Sequence, residues 1–353
     1  MSSKKIARIR NILLGSGNPI RVQTMLNTDP EDYNASKKQL EEVISRGAEI
    51  VRITVPTKKS VSVFSKLRKD FDIPLVADIH FNHEMALEAM DAGADKIRIN
   101  PGNIGDNWKV ETIINKAKKY GIAIRIGVNS GSMPKKILEK YGHPTPEAML
   151  ETMTEYTNFF SKHGFDNIVL SAKSSSVEQT IKINELLFKN LPYPLHIGVT
   201  EAGPMIPGLI KSSFALSEIL KKGIGDTIRI SLTSSPINEV DAGFYLLKLL
   251  GLRNNGIEII SCPTCGRTKV NLESIVNEVY KKLPLFKYNM KLALMGCVVN
   301  GPGEAKEADL GLAFGPNEAL YFEKGVSIEK IPANNAIKYI ISKIKIIGES
   351  HGN

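Results

Sequence analysis

From residue 20 to residue 233 one pattern of apolar and polar positions recurs. A short β-branched run is followed by an amphipathic stretch with apolar residues three and four apart, then by another β-branched run. The predicted strands are Ile20–Leu26, Glu49–Val55, Pro74–His80, Lys96–Pro101, Ala123–Asn129, Asn167–Lys173, Pro194–Thr200 and Thr227–Thr233. They begin mostly 22 to 33 residues apart, with one interval of 44 before the sixth. Between them lie helix-like segments such as Ala35–Arg46 and Asn82–Ala92. Several end at a glycine, as at Gly47, Gly93, Gly121 and Gly164, where a left-handed cap costs little. Strict alternation requires parallel strands joined by crossover helices. Eight repeats predict an α/β fold of the (β/α)8 TIM-barrel type, with a doubly wound open sheet as the competitor.

After Gly256 the pattern changes. Ile257–Ser261, Lys291–Met295, Asp309–Phe314 and Ala319–Phe322 read as strands, and Asn271–Lys282 and Ala333–Ile344 as helices. This is a smaller α+β domain. A chain of 353 residues also exceeds what one hydrophobic core usually spans. The expected division is residues 1–255 for the barrel and 256–353 for the second domain.

Composition narrows the classes. With 42% apolar and 24% charged residues the chain is globular, neither collagen-like nor disordered. No stretch approaches the ~18 uninterrupted apolar residues of a membrane span. The start, MSSKKIARIRNILLGSG, has basic residues but no apolar run of a secretory signal. A cytoplasmic protein without membrane association is expected. The net charge is +9, of which +7 (34 basic, 27 acidic) falls in the barrel and +2 (12 basic, 10 acidic) beyond it. All three cysteines lie in the second domain, too few for a disulfide scaffold.

Chemistry in such barrels sits at the C-terminal strand ends. There the chain places Arg52, Asp78, His80, Arg98, Asn100, Asn103, Arg125, Asn129, Ser171, Lys173, Glu201, Arg229 and Ser231. Four of the arginines and Lys173 fall inside strand-like segments, where burial is costly unless they are paired or line an open mouth. Some of them are expected in structural ion pairs with Asp78 or Glu201. Together they predict a cationic mouth for a phosphorylated ligand, since guanidinium forks match phosphate oxygens two at a time. Nucleic acid fits less well, because duplex binding wants a surface stripe and not a pocket. His80 and His196 read first as hydrogen-bonded structure. Glu201, among cations beyond a strand end, reads as a salt-bridge partner or as a proton donor and acceptor.

The second domain carries SCPTCG at 261–266 and GCVVNGPGE at 296–304. A CxxC suggests zinc, a redox pair or an iron–sulfur cluster. A thioredoxin-like pair leaves Cys297 without a role, and zinc lacks a fourth ligand, the last histidine being His351 near the C-terminus. Three thiolates suit a [4Fe–4S] cluster with one special iron, for which Glu304, in a Gly/Pro-rich turn, is the natural oxygen ligand. No GxGxxG fingerprint follows a strand, so electrons must come from outside.

These motifs together resemble the 4-hydroxy-3-methylbut-2-enyl diphosphate synthase family of the non-mevalonate isoprenoid pathway. The matching stretches are VQTMLNTD, VRITVP, LVADIHF, KIRINPGN, IRIGVNSGS, HIGVTEAG, GIGDTIRISLT, SCPTCGRT and MGCVVNGPGEA, from residue 22 to 305. Thr24 and Leu26 stand where Ser and Thr are usual, and the extra domain of plant-type members is missing. The resemblance implies reductive ring opening and dehydration of 2-C-methyl-D-erythritol 2,4-cyclodiphosphate. It implies a [4Fe–4S] cluster held by Cys262, Cys265, Cys297 and Glu304, with Glu304 displaced by substrate oxygen. Diphosphate binding is carried onto Arg98, Arg125, Asn129, Lys173, Arg229 and Ser231, with Arg52, Asp78 and His80 in the same pocket and Glu201 as proton donor. Flavodoxin or ferredoxin would supply electrons, acidic carriers that a basic enzyme attracts. A homodimer, the cluster domain of one subunit capping the other's barrel, is also implied. The rivals are a pterin- or phosphate-binding barrel transferase with a structural metal domain, and a zinc-stabilised nucleic-acid-binding protein.

Overall fold

In the computed structural model, which describes residues 3–254, 256–283, 288–297 and 306–350, the chain divides into two units, Met1–Arg253 and Asn254–Asn353. The first opens with an antiparallel hairpin, β1 (Ala7–Ile9) and β2 (Ile12–Leu14). Eight parallel strands follow: β3 (Arg21–Met25), β4 (Ile50–Thr54), β5 (Leu75–Asp78), β6 (Lys96–Ile99), β7 (Ala123–Asn129), β8 (Ile168–Lys173), β9 (His196–Ile197) and β10 (Thr227–Ile228). Their order is β8-β7-β6-β5-β4-β3-β10-β9. An isolated bridge between Leu170 and Leu195 joins the ends of that row and nearly closes the barrel. Helices between strands start on side-chain caps that satisfy orphan amides, as at Asp32, Thr57, Asn82, Ser176 and Ser235.

Two of the eight strands are shorter than the apolar runs predict. Only His196–Ile197 and Thr227–Ile228 pair as strands, where Pro194–Thr200 and Thr227–Thr233 are expected. Beyond them the ladder gives way to scattered bonds, some to backbone carbonyls, as from the Thr233 amide to the Gly203 carbonyl at 3.0 Å, and one to a side chain. The Leu232 amide donates to Glu239 Oε1 at 3.0 Å.

The N-terminal hairpin was not foreseen, because its turn at Arg10 and Asn11 carries no glycine signal. Arg10 takes a left-handed φ of 53° there. Ala7, Ile9, Ile12 and Leu14 pack with Ile50, Val76, Ala123 and Val169, all at or near the first residue of a barrel strand. The hairpin therefore stoppers the N-terminal end of the barrel. Each large aliphatic side chain buried there contributes about 1.5–3 kcal/mol.

The second unit is a five-stranded sheet. Strands β11 (Gly256–Ser261), β12 (Asn289–Met295) and β13 (Leu310–Phe314) run parallel, and β14 (Glu318–Glu323) and β15 (Val326–Pro332) continue antiparallel. Helices Leu272–Lys282 and Ala333–Ser350 belong to the same unit. Strand β15 escapes the apolar pattern because six of its seven residues are exposed, Ile331 alone being buried. It is an edge strand carrying Glu329 and Lys330, and edges are kept polar. Among the described residues no helix is long and apolar enough to cross a membrane.

Candidate functional site

Alternate residues of a strand share a face, and the register of the barrel puts charged residues side by side. Thr54 lies opposite Asp78, Asp78 opposite Arg98, and Arg98 opposite Arg125. Asn129 faces Lys173 in the last pair of β7 and β8. The Asp78 carboxylate accepts from Arg98 Nη1 at 3.2 Å and pairs with Arg52 Nε at 3.5 Å. Burial alone would raise its pKa, but Arg52, Arg98, Arg125 and His80 outweigh that and hold it at about 2. Arg52 is itself pushed down to about 10, by burial first.

A second carboxylate balances the opposite wall. Glu239, on helix Pro236–Leu249 and 3% exposed, accepts from Arg229 Nη2 at 2.9 Å and Nε at 3.1 Å, and from Thr24 Oγ1 at 2.9 Å. Arg52, Arg98, Arg125, Lys173 and Arg229 thus surround two carboxylates, and buried Lys96 adds a further amine felt by Arg125 and Arg52. Positive charge is in excess, and several donors have no partner. Arg125 is 3% exposed, yet its Nε and Nη1 are unpartnered, as is Arg98 Nε. Buried donors without acceptors are costly. A multivalent anion is the ligand that would satisfy them. Two glycines make room. A Cβ at Gly127 would stand 3.1 Å from Arg98 Nε, and one at Gly198 would stand 2.8 Å from Lys173 Nζ and 2.4 Å from the Arg229 carbonyl oxygen.

The sequence-predicted residues divide accordingly. Arg52, Asp78, Arg98, Arg125, Lys173 and Arg229 share this network. Burial, then Arg125, Arg229 and Arg52, push the Lys173 amine well down. Ser231 is half-buried just beyond β10, Ser171 is buried, and exposed His80 follows β5. Glu201 is exposed beyond β9 and forms no ion pair among the described residues, so the salt-bridge reading for it is not realised. Its φ of 52° is a left-handed conformation uncommon outside glycine, and such strain gathers at functional sites. Asn100 is 1% exposed and caps a short helix, accepting from the Gly102 amide at 3.1 Å, while Asn103 lies half-buried within that helix. His196 is fully buried, with Nδ1 on Thr227 Oγ1 at 2.7 Å and Nε2 unpartnered.

Sequence reasoning missed Glu239 and Lys96. Glu239 sits on a helix, outside the strand ends searched. Lys96 precedes Arg98 by two, and that parity was the available signal.

In the second unit Cys262 directly follows β11 and Cys297 comes two residues after β12, the adjacent parallel strand. The Gly296 amide donates to Cys262 Sγ at 3.3 Å. Cys265 is exposed in a turn closed by its amide on Thr268 Oγ1 at 3.2 Å and by the Thr268 amide on its carbonyl at 2.9 Å. Hydrogen bonds from the backbone and side chain of Arg267 hold the Cys265 thiol below its usual range, toward the thiolate a metal needs. None of the three is in a disulfide. A cavity of about 300 Å³ at Cys262 is lined also by Thr264, Leu272 and Glu273. Glu304 lies outside the described residues. Among the described residues no group of three or more His, Cys, Asp or Glu is placed to hold a metal ion. The donor chemistry fits an iron–sulfur group: three unoxidised thiols in loops at neighbouring strand ends, one receiving an amide hydrogen bond.

Comparison with known proteins agrees with this two-part layout. Residues 4–244 match the GcpE TIM-barrel domain, and residues 258–346 match the GcpE protein C-terminal domain. A protein of Caldicellulosiruptor saccharolyticus named 4-hydroxy-3-methylbut-2-en-1-yl diphosphate synthase (flavodoxin) is 49% identical, covering 97% of this chain and 98% of its own. One of the same name from Geobacter sulfurreducens is 44% identical, covering 98% of each. A solved structure of Yersinia pestis dihydropteroate synthase superposes with a TM-score of 0.52 at 15% identity, covering 70% of this chain and all of that one. That likeness concerns the barrel fold alone.

Proposed function

Because the chain belongs to the GcpE family, we propose that it converts 2-C-methyl-D-erythritol 2,4-cyclodiphosphate into 4-hydroxy-3-methylbut-2-enyl diphosphate by reductive ring opening and loss of water. The observation that carries this reading is the barrel's excess of buried cations with unpartnered donors at Arg98 and Arg125. A cyclic diphosphate presents the matching acceptors in a compact ring.

The barrel residues bind and orient. Arg98, Arg125, Lys173 and Arg229, with Asn129 and Ser231, take the phosphate oxygens, while Asp78 and Glu239 hold Arg52, Arg98 and Arg229 in position. Fixed cations also stabilise charge on the diphosphate oxygen as it departs from carbon, without having to reorganise. Glu201 holds the proton that leaves with the hydroxyl as water. Cys262, Cys265 and Cys297, completed by Glu304, are the residues that would hold a [4Fe–4S] cluster. When bound, that cluster would pass on two electrons from an external donor, one at a time. Flavodoxin, named in the relatives, is the external donor on this reading. The working unit is a cytoplasmic homodimer whose cluster domain caps the partner's barrel.

A pterin- or phosphate-ligand transferase would use the same mouth, but gives the three thiols no task. Anaerobic purification should yield about four irons and matching sulfide per chain. An anaerobic assay with the cyclodiphosphate and a low-potential reductant should then show turnover. One zinc per chain, or iron without turnover, would overturn the reading.

A further inference from the structure

Lys96, the first residue of β6, has none of its surface exposed, and the reaction above gives it no task. In register it lies opposite Val76 and Ala123, two of the residues packed against the N-terminal hairpin. It therefore belongs to the barrel floor, one inward-facing step below Arg98. Among the described residues its amine makes one hydrogen bond, to Gln23 Oε1 at 3.2 Å, and no ion pair. The amide nitrogen of Gln23 is buried without a partner, as are His196 Nε2 and two nitrogens of Arg125. The lower interior thus holds several buried nitrogens without a partner, with a lysine among them that has no counter-ion among the described residues.

Building on the proposed reaction, we propose that Lys96 is a positioning residue of the diphosphate site, uncharged in the ligand-free barrel and gaining a proton from solvent as the anion enters. The charged groups of the interior set the balance. Arg52 comes from β4, Asp78 from β5, Arg98 from Lys96's own strand and Arg125 from β7. Lys173 comes from β8, His196 from β9, and Arg229, backed by Glu239, from the end of β10; β3 contributes the uncharged Gln23. Burial, then Arg125 and Arg52, push the Lys96 amine well down. The His196 ring is pushed down as well, by burial and then by Lys173, Arg125, Lys96 and Arg52.

A diphosphate reverses the sign of that field. Its charge favours the ammonium, so the Lys96 pKa is higher in the complex than in the free protein. Between the two values binding takes up a proton, and affinity must fall as pH rises through that window. Protonated Lys96 then adds its charge beneath the phosphate-facing arginines and strengthens the field that holds the anion against them, with Gln23 fixing its direction.

Titration calorimetry of the full-length protein with the cyclodiphosphate, in two buffers of different ionisation enthalpy near neutral pH, counts the protons. Wild type should take up about one proton per ligand. Lys96→Met should lose at least half of that uptake, bind about tenfold more weakly, and show a flatter pH profile of affinity. Lys96→Arg keeps a cation that does not titrate, so it should lose the uptake too, and it carries the test if the methionine variant fails to fold. No uptake in wild type, or unchanged uptake in a folded variant, overturns the proposal. Inorganic pyrophosphate is the second probe, and the difference between wild type and variant cancels its own titration. Lys96-dependent uptake with pyrophosphate, but no binding of the cyclodiphosphate, would sink the assigned substrate and leave Lys96 in its role. Binding of both without uptake would do the reverse.

Discussion

Asp78 shows how one carboxylate organises a cationic interior. It is 2% exposed, a setting that by itself would favour the protonated acid, yet Arg52 and Arg98 reach it from two neighbouring strands. With its pKa held at about 2, below the ordinary value, its contribution to stability is fully present above about pH 4. That contribution is lost as pH falls through the folded value. Asp78→Asn removes the counter-charge and leaves two buried guanidinium groups facing each other. We expect it to lower unfolding free energy by about 3 kcal/mol at neutral pH, measured by urea denaturation; a loss below about 0.5 kcal/mol would mean that Arg229 and Glu239 hold the interior without it. At this scale the sequence was informative at the strand ends. Arg52, Asp78, Arg98, Arg125 and Lys173 could be gathered at the barrel's C-terminal strand ends, whereas their side-by-side pairing needed the register. Glu239 could not, because a glutamate in the first turn of helix Pro236–Leu249 looks like an ordinary dipole partner.

At the scale of elements, alternation of strand and helix was legible, whereas strand ends were not. Apolar runs mark burial, and burial continues past the last ladder bond at β9 and β10, where Val199 and Ile230 stay buried outside any strand. The two elements missed outright, the N-terminal hairpin and β15, are short or polar, so neither has the periodic signature. Gly198 illustrates what the run conceals. Its alanine variant would push a Cβ against the Arg229 carbonyl, a backbone atom that cannot yield cheaply, and against the Lys173 amine. Gly198→Ala should destabilise by about 1–3 kcal/mol and weaken cyclodiphosphate binding about tenfold, with iron content per chain unchanged. Calorimetry and iron analysis on one preparation check both halves; unaltered affinity would remove Gly198 from the site.

For the whole molecule, charge and thiols are kept in separate units. The barrel holds +7 of the net charge and the second unit all three cysteines. That separation was visible in the sequence, since the two regions differ in periodicity as well as in composition. The three cysteines could be picked out as a motif only, because spacing along the chain does not place Cys265 in space. Affinity should therefore belong to the barrel and reduction to the cluster that the thiols would hold. Full-length protein stripped of iron by a chelator should bind the cyclodiphosphate within about tenfold of the intact protein while losing all turnover. Calorimetry on the stripped protein decides; loss of binding along with iron would show that the metal carries the affinity.

The hairpin that packs beneath Ile50, Val76, Ala123 and Val169 has a kinetic consequence. It adds a second apolar layer beneath an interior already filled by side chains, so ligand can enter and leave only at the C-terminal face. With one shared entrance, product and substrate exclude each other there, and initial rates measured with added product should show competition with substrate.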